Sequence, residues 1–181
     1  MELQSGTIRI DGQDLAKMSR QYIRSQILTI PQDPVTLSGT VRKNLDPEER
    51  VQADEMLIQA LKKTTLWPTI ETRGGLDADL SALGFSVGQL QLFCLARALL
   101  SHSPIVLLDE PTSSVDRNTD EEVRNITREV MHGRTIIEVT HQLDHVTDFD
   151  IAVVMENGRI IETGVPRELL AHESALKALR G

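Results

Sequence analysis

Aromatic residues are scarce in this sequence, at one Trp, one Tyr and three Phe, so its core must be mostly aliphatic. Cysteine is scarcer: Cys94 stands alone, and no internal disulfide framework is possible. It lies in the apolar run Leu92-Phe93-Cys94-Leu95-Ala96, where a buried small hydrophobe is expected rather than a reactive thiol. Long hydrophobic runs are missing too, and nothing approaches the ~20 residues of a membrane-spanning helix. Met1 to Ile10 shows no basic flank followed by an apolar stretch, hence no signal-peptide pattern. The chain as given is expected to be soluble and intracellular, with any membrane role coming through a partner or further sequence. Basic charge is in deficit, with 19 Lys and Arg against 27 Asp and Glu. That argues against non-specific nucleic-acid binding, which relies on cations neutralising phosphates. A single nucleotide is not excluded, because its site is local.

What is present resembles an ordinary globular protein. The hydrophobic fraction is 40% and the charged fraction 25%, and 181 residues suit one domain with a sizeable core. Thr7 to Ile10 alternates and ends at Asp11-Gly12, which predicts a strand and a turn. Ile27 to Ile30 predicts a second strand, stopped by Pro31. Met56, Leu57, Ala60 and Leu61 are spaced as on an amphipathic helix over 53–63. Val87 to Leu100 is a denser apolar helix, buried on most sides. Ile105-Val106-Leu107-Leu108 has the unbroken apolar character of a central parallel strand. Thr119 and Glu122 have capping-box spacing for a helix through about Met131, ended by Gly133. Thr135 to Val139 predicts another strand. Ile151 to Met155, Asn157-Gly158 and Arg159 to Ile161 predict a hairpin with a tight turn. Pro166 opens a last helix through Leu170. Alternating strands and helices in the second half imply an α/β class.

Two segments carry chemistry. The apolar strand ends in Asp109-Glu110, and an acid at that place stands beside Mg²⁺ in phosphate-transferring folds. A second acid directly after it can polarise an attacking water. Taken alone, the pair is better read as a solvated strand end. Phe85-Ser86-Val87-Gly88-Gln89 opens the buried helix. Ser86 can cap it, and a helix start offers N–H groups and positive dipole to an anion. By itself this is an ordinary serine cap.

The two occur in a series with Gln32 beyond a strand end, Ser114-Val115-Asp116 after the acid pair, and Thr140-His141 after the next strand. That series, in its order, resembles the nucleotide-binding domain of ABC (ATP-binding-cassette) transporters. Gln32 resembles the Q-loop glutamine, Ser86 to Gln89 the signature motif, Asp109 the Walker B aspartate and Glu110 the catalytic glutamate. Asp116 resembles the D-loop aspartate and His141 the switch histidine. Residues 85–100, with Thr36 to Pro47, are similar to the second (C-terminal) domain of the C subfamily, the multidrug-resistance-associated branch. Three positions depart from the usual pattern: Val87 where a second glycine is common, Leu90 where a polar or basic residue is usual, and Pro111 where this branch more often has alanine.

The resemblance implies a P-loop NTPase-like ABC ATPase fold over residues 1–181, with a helical subdomain at roughly 48–102. It implies ATP and Mg²⁺ as cofactors, with Asp109 and Gln32 at the metal. Glu110, His141 and Gln32 would be catalytic. Ser86, Gly88, Gln89 and Asp116 would face nucleotide held by the opposite domain of a head-to-tail pair. Partners would be that second domain and the transmembrane domains, on the cytoplasmic side of a membrane, and the work would be export driven by ATP hydrolysis. No G-x-x-x-x-G-K-[ST] occurs in residues 1–181, and Met1 to Thr7 resembles the end of the helix after that loop. The expectation is an incomplete domain without its phosphate-loop strand and helix, which alone binds or hydrolyses ATP poorly. Two other readings stay open. One is a non-enzymatic module that offers Ser86, Gly88 and Gln89 to an intact domain. The other is a soluble ABC protein of translation or DNA repair, which the acidic balance disfavours.

Overall fold

The computed structural model describes residues 5–110, 123–128 and 132–180. The chain divides into two units, Met1–Val139 and Thr140–Gly181, each with its own packing.

The first unit opens with an antiparallel pair, β1 (Arg9–Ile10) and β2 (Gln13–Asp14). Asp11 and Gly12 join them with φ of 48° and 78°, the left-handed geometry that a two-residue hairpin turn requires. Ser19 then caps α1 (Arg20–Gln26), accepting from the Tyr22 N–H at 3.1 Å. The chain passes directly into β3 (Ile27–Ile30).

β3 belongs to a three-stranded parallel sheet with β4 (Ile105–Asp109) and β5 (Thr135–Val139), in the spatial order β3-β4-β5. The register pairs Ile30 with Leu108 and Asp109 with Val139. β4 is central because its four apolar residues suit cover on both faces, and Val106 and Leu108 are fully buried. Parallel neighbours need crossovers, and helices supply them. A helical stretch connects β3 to β4, and residues 123–128, helix α6, lie between β4 and β5.

All elements between Val41 and Leu100 are helical: α2 (Val41–Leu45), α3 (Asp54–Lys63), α4 (Trp67–Glu71), α5 (Val87–Leu100) and short 3-10 turns. Their inward residues, among them Val41, Leu61, Ile70, Phe93 and Ala96, form one core with β3, β4 and α6. On α3 the buried stripe is Leu57, Ala60 and Leu61, while Met56 points out at 51% exposure. The expected apolar face was one residue too wide, since Met56 falls off the stripe by one helical step. Buried Thr64 satisfies its hydroxyl on the Ala60 and Leu61 carbonyls. α1, α2 and α4 span five to seven residues, too short for a helical period to show in sequence.

The second unit is built on a hairpin, β6 (Ala152–Glu156) and β7 (Arg159–Gly164). Asn157 and Gly158 both take positive φ, as the Asn-Gly pair predicts. A register shift between Val154 and Met155 interrupts the ladder. Pro166 starts α7 (Pro166–Ala171), and the Glu162 carboxylate accepts from the Ala175 and Leu176 N–H groups, capping α8 (Ala175–Arg180). Val146, Val154, Leu169 and Leu176 form its core. Among the described residues, no helix is long and apolar enough to cross a membrane.

Candidate functional site

β3 and β4 run parallel and adjacent, so their carboxyl ends open on the same edge of the sheet. Neighbouring strands lie about 4.8 Å apart, and ligands of open α/β sheets bind outside the carboxyl ends. Gln32 stands two residues beyond Ile30, the last residue of β3, in an exposed bend. Asp109 is the last residue of β4 and is exposed, although Val106 and Leu108 before it are buried. A dry strand thus delivers a carboxylate to solvent.

Glu110 extends the ladder by one bond, its N–H donating to the Val139 carbonyl at 2.9 Å. Its φ is 44°, in the left-handed region. For a residue with a Cβ that conformation costs about 1–2 kcal/mol. Such outliers cluster where a side chain must be aimed against local preference. Here the outlier falls on the half-buried second acid, directly after the last residue of β4.

Ser86 to Gln89 occupies another element, the start of α5. The Ser86 hydroxyl accepts from the Gln89 N–H at 3.2 Å, and the Gln89 carboxamide oxygen accepts from the Ser86 N–H at 3.0 Å. This reciprocal pair is a capping box. The expected cap is the Ser86 half alone; the structure adds the Gln89 half, which S-x-x-Q also signals. Ser86 and Val87 are exposed, Gly88 is buried and Gln89 is half-buried. The N–H groups of Val87 and Gly88 sit in the first turn, where no helix carbonyl reaches them. They and the dipole of a fourteen-residue helix suit an anion.

His141 lies in the second unit, exposed, two positions after Val139. The turn there is held by Thr140, whose hydroxyl accepts from the Gln142 N–H at 3.0 Å. Asp116, with Ser114 and Val115, lies outside the described residues, as does the expected helix start at Thr119 to Glu122. Cys94 is buried, and burial raises its thiol above the ordinary range, as suits a packing residue.

The oxygen donors at the sheet edge, a Gln carboxamide and two carboxylates, are of the kind that a hard cation takes. Among the described residues, no group of three His, Cys, Asp or Glu could hold a metal ion by itself. Mg²⁺ commonly takes only one or two carboxylates from protein and the rest from phosphates and water, so this donor set fits it.

Two polar side chains that no sequence motif singles out bond to the chain that follows β3. Asn44, at the end of α2, is fully buried. Its amide donates to the Leu37 and Thr40 carbonyls at 2.9 and 3.0 Å, and its oxygen accepts from the Leu37 N–H at 2.7 Å. Arg97 of α5 donates through Nε to the Asn44 carbonyl at 2.8 Å and through Nη1 to the Val35 carbonyl at 3.1 Å. The charge of Arg97 among the apolar residues of α5 was one visible signal, whereas Asn44, following Arg42 and Lys43, gave none.

A family model described as ABC transporter matches residues 1–113. ABC multidrug transporter B of Aspergillus fumigatus is 43% identical over 175 residues, covering 97% of this chain and 12% of that protein. ABC transporter C family member 3 of Dictyostelium discoideum is 39% identical over 179 residues, covering 97% of this chain and 13% of that protein. Among solved structures, a bacterial Atm1-family ABC exporter with ATP bound superposes with a TM-score of 0.87 at 28% identity. That match covers 98% of this chain and 32% of the exporter chain. The chain spans about an eighth of the length of the curated relatives it matches.

Proposed function

The chain belongs to the ABC transporter family, and from that premise we propose that it is part of the ATP-hydrolysing engine of a C-subfamily-like membrane exporter. The observation that carries the reading is the shared edge of β3 and β4, where Gln32 follows one strand and Asp109 and Glu110 end the next. The role is that of a nucleotide-binding domain over residues 1–181, with residues 48–102 as its helical subdomain, working at the cytoplasmic side of a membrane. Its partners are a second such domain and the transmembrane domains.

Each residue then has a task. Asp109 and Gln32 would hold Mg²⁺, which when bound would neutralise charge on the phosphates of ATP. Glu110 accepts a proton from the attacking water, or orients it. His141 donates a hydrogen bond to the terminal phosphate. Ser86, Gly88 and Gln89 face nucleotide on the opposite domain, and Asp116 crosses the same interface. The capping box at Ser86 and Gln89 supports this by fixing the first turn of α5, where Ser86 is exposed and the Val87 and Gly88 N–H groups have no helix carbonyl. Residues 1–181 contain no G-x-x-x-x-G-K-[ST]. Tested as an isolated stretch, they should bind Mg-ATP far more weakly than an intact domain, since that loop makes most contacts to the β- and γ-phosphates.

The test uses the full-length protein. Glu110→Gln keeps shape and hydrogen bonding but removes the base. ATP should bind and be trapped, with turnover reduced by ~10² to 10⁴. Asp109→Asn should instead raise the Mg²⁺ concentration needed for half-maximal turnover. Negligible effects from both substitutions would remove the pair from the chemistry.

A further inference from the structure

The loop that carries Gln32 has little apolar packing to hold it. Gln32, Asp33, Val35, Thr36 and Leu37 are all exposed. Beneath it lies a cavity of about 260 Å³ bounded by Ile30, Pro31, Val35, Cys94 and Arg97. A segment exposed above and hollow below takes its position from hydrogen bonds instead. Two side chains supply bonds to its backbone. Asn44 holds Leu37 by both its N–H and its carbonyl. Arg97 holds Val35 and, through the Asn44 carbonyl, the end of α2.

Arg97 is itself well anchored. Its guanidinium carbon lies 6.0 Å from the ring centroid of Phe93, which is fully buried one turn earlier on α5. Two of its nitrogens are spent on backbone carbonyls, and Nη2 is buried with no hydrogen-bond partner. Leaving a buried donor unpaired is unfavourable. Its retention is accounted for if the fork is shaped for the two carbonyls it holds. A lysine carries its donors on one nitrogen and lacks the planar fork that meets both carbonyls.

We propose that Arg97 is the positioning residue for Gln32, tying the Gln32 loop to α5, the helix whose first turn is Ser86 to Gln89. The kinetic part of this inference rests on the role of Gln32 given above; the structural part does not. Arg97 is bonded to the backbone carbonyls of Val35 and Asn44. It acts through the loop backbone, so its loss shifts where Gln32 stands relative to Asp109 while leaving the strand that carries Asp109 unchanged.

The experiment compares Arg97→Gln and Arg97→Lys in the full-length protein by amide hydrogen exchange and steady-state ATP hydrolysis. Exchange over residues 32–38 should rise roughly tenfold or more when a charge-assisted bond is lost. Exchange over Ile105–Asp109 should stay at the wild-type level. The lysine variant should recover part of the protection. Turnover should fall more than the apparent affinity for ATP, because Gln32 is displaced from the reacting end of the nucleotide. If Arg97→Gln fails to fold, Arg97→Lys decides the matter. Wild-type exchange over 32–38 overturns the proposal. Exchange that rises equally in β4 overturns it as well, because that is general loosening. A looser loop with unchanged turnover leaves the tether standing and removes Gln32 from the chemistry instead.

Discussion

The helical stretch from Val41 to Leu100 and the unit from Thr140 to Gly181 use the same aliphatic alphabet to different effect. In the first, Val41, Leu61, Ile70, Phe93, Ala96 and Ala98 are wholly buried, and their core continues into the central strand β4. In the second, the hydrophobic core has only four buried members among the described residues, while Ile151, Met155 and Ile160 are each more than 60% exposed. A hairpin can turn only one face inward, and an isolated two-stranded sheet is marginal in water. The helices surround their core from several directions, so nearly every apolar residue finds cover. The region that contains the helix opened by Ser86 is thus stabilised by its own packing, while the unit that contains His141 has far less burial of its own.

That contrast is sharpest at Phe93. Phe93→Ala should remove about 3–5 kcal/mol of stability, read as a denaturant midpoint, since the fully buried ring leaves a cavity no neighbour can fill. Leu169→Ala in the second unit should cost about 2 kcal/mol, at the low end for its type, because a thin core collapses more easily. Equal losses would break the comparison.

A smaller effect tests how complete the helical core is. Gln91 is buried, and neither its amide nitrogen nor its oxygen has a partner. Gln91→Leu, of similar volume, should raise stability by about 1–3 kcal/mol by removing unsatisfied polar atoms. A loss of stability would mean that the amide is paired in solution and that the helical core is not purely apolar there.

The smallest expected effect is electrostatic. Arg42 of α2 holds both carboxylate oxygens of Asp54 on α3, and this hydrogen-bonded pairing lowers the Asp54 pKa from its ordinary value. A carboxylate whose pKa is depressed by folding stabilises the fold above its unfolded value, near 3.9, and loses that contribution as pH falls through the depressed value. The pair is exposed, so the effect should be slight. Asp54→Asn should flatten the acid limb of the stability–pH curve below about pH 4 and leave the curve near pH 7 almost unchanged. A change concentrated near neutrality would point to other groups.

Much of the fold could be read from local pattern. The strand at β4, the apolar helix α5 and the hairpin at Asn157-Gly158 follow from runs, caps and turn residues, and the structure has each of them. The family follows from motif order. The short helices α1, α2 and α4 left no such trace, because one or two turns cannot display a period. At the candidate site, the residue types were legible, but two features were not: the left-handed backbone of Glu110 and the carboxamide of Gln89 folded back onto its own helix start.

The sequence by itself determined which residues carry oxygen donors, where the helix begins that offers N–H groups to an anion, and that the strand before Asp109 must be buried. These are properties of neighbours along the chain, set by alternation, capping and turn chemistry. Only the tertiary structure decided that β3 and β4 are adjacent and parallel, so that Gln32 and the acid pair share an edge. It also decided that Arg97 closes on carbonyls 53 and 62 positions away. Contacts at that separation form when the chain has collapsed around its core. They leave no periodic mark in sequence, and they set the backbone of the loop that bears Gln32.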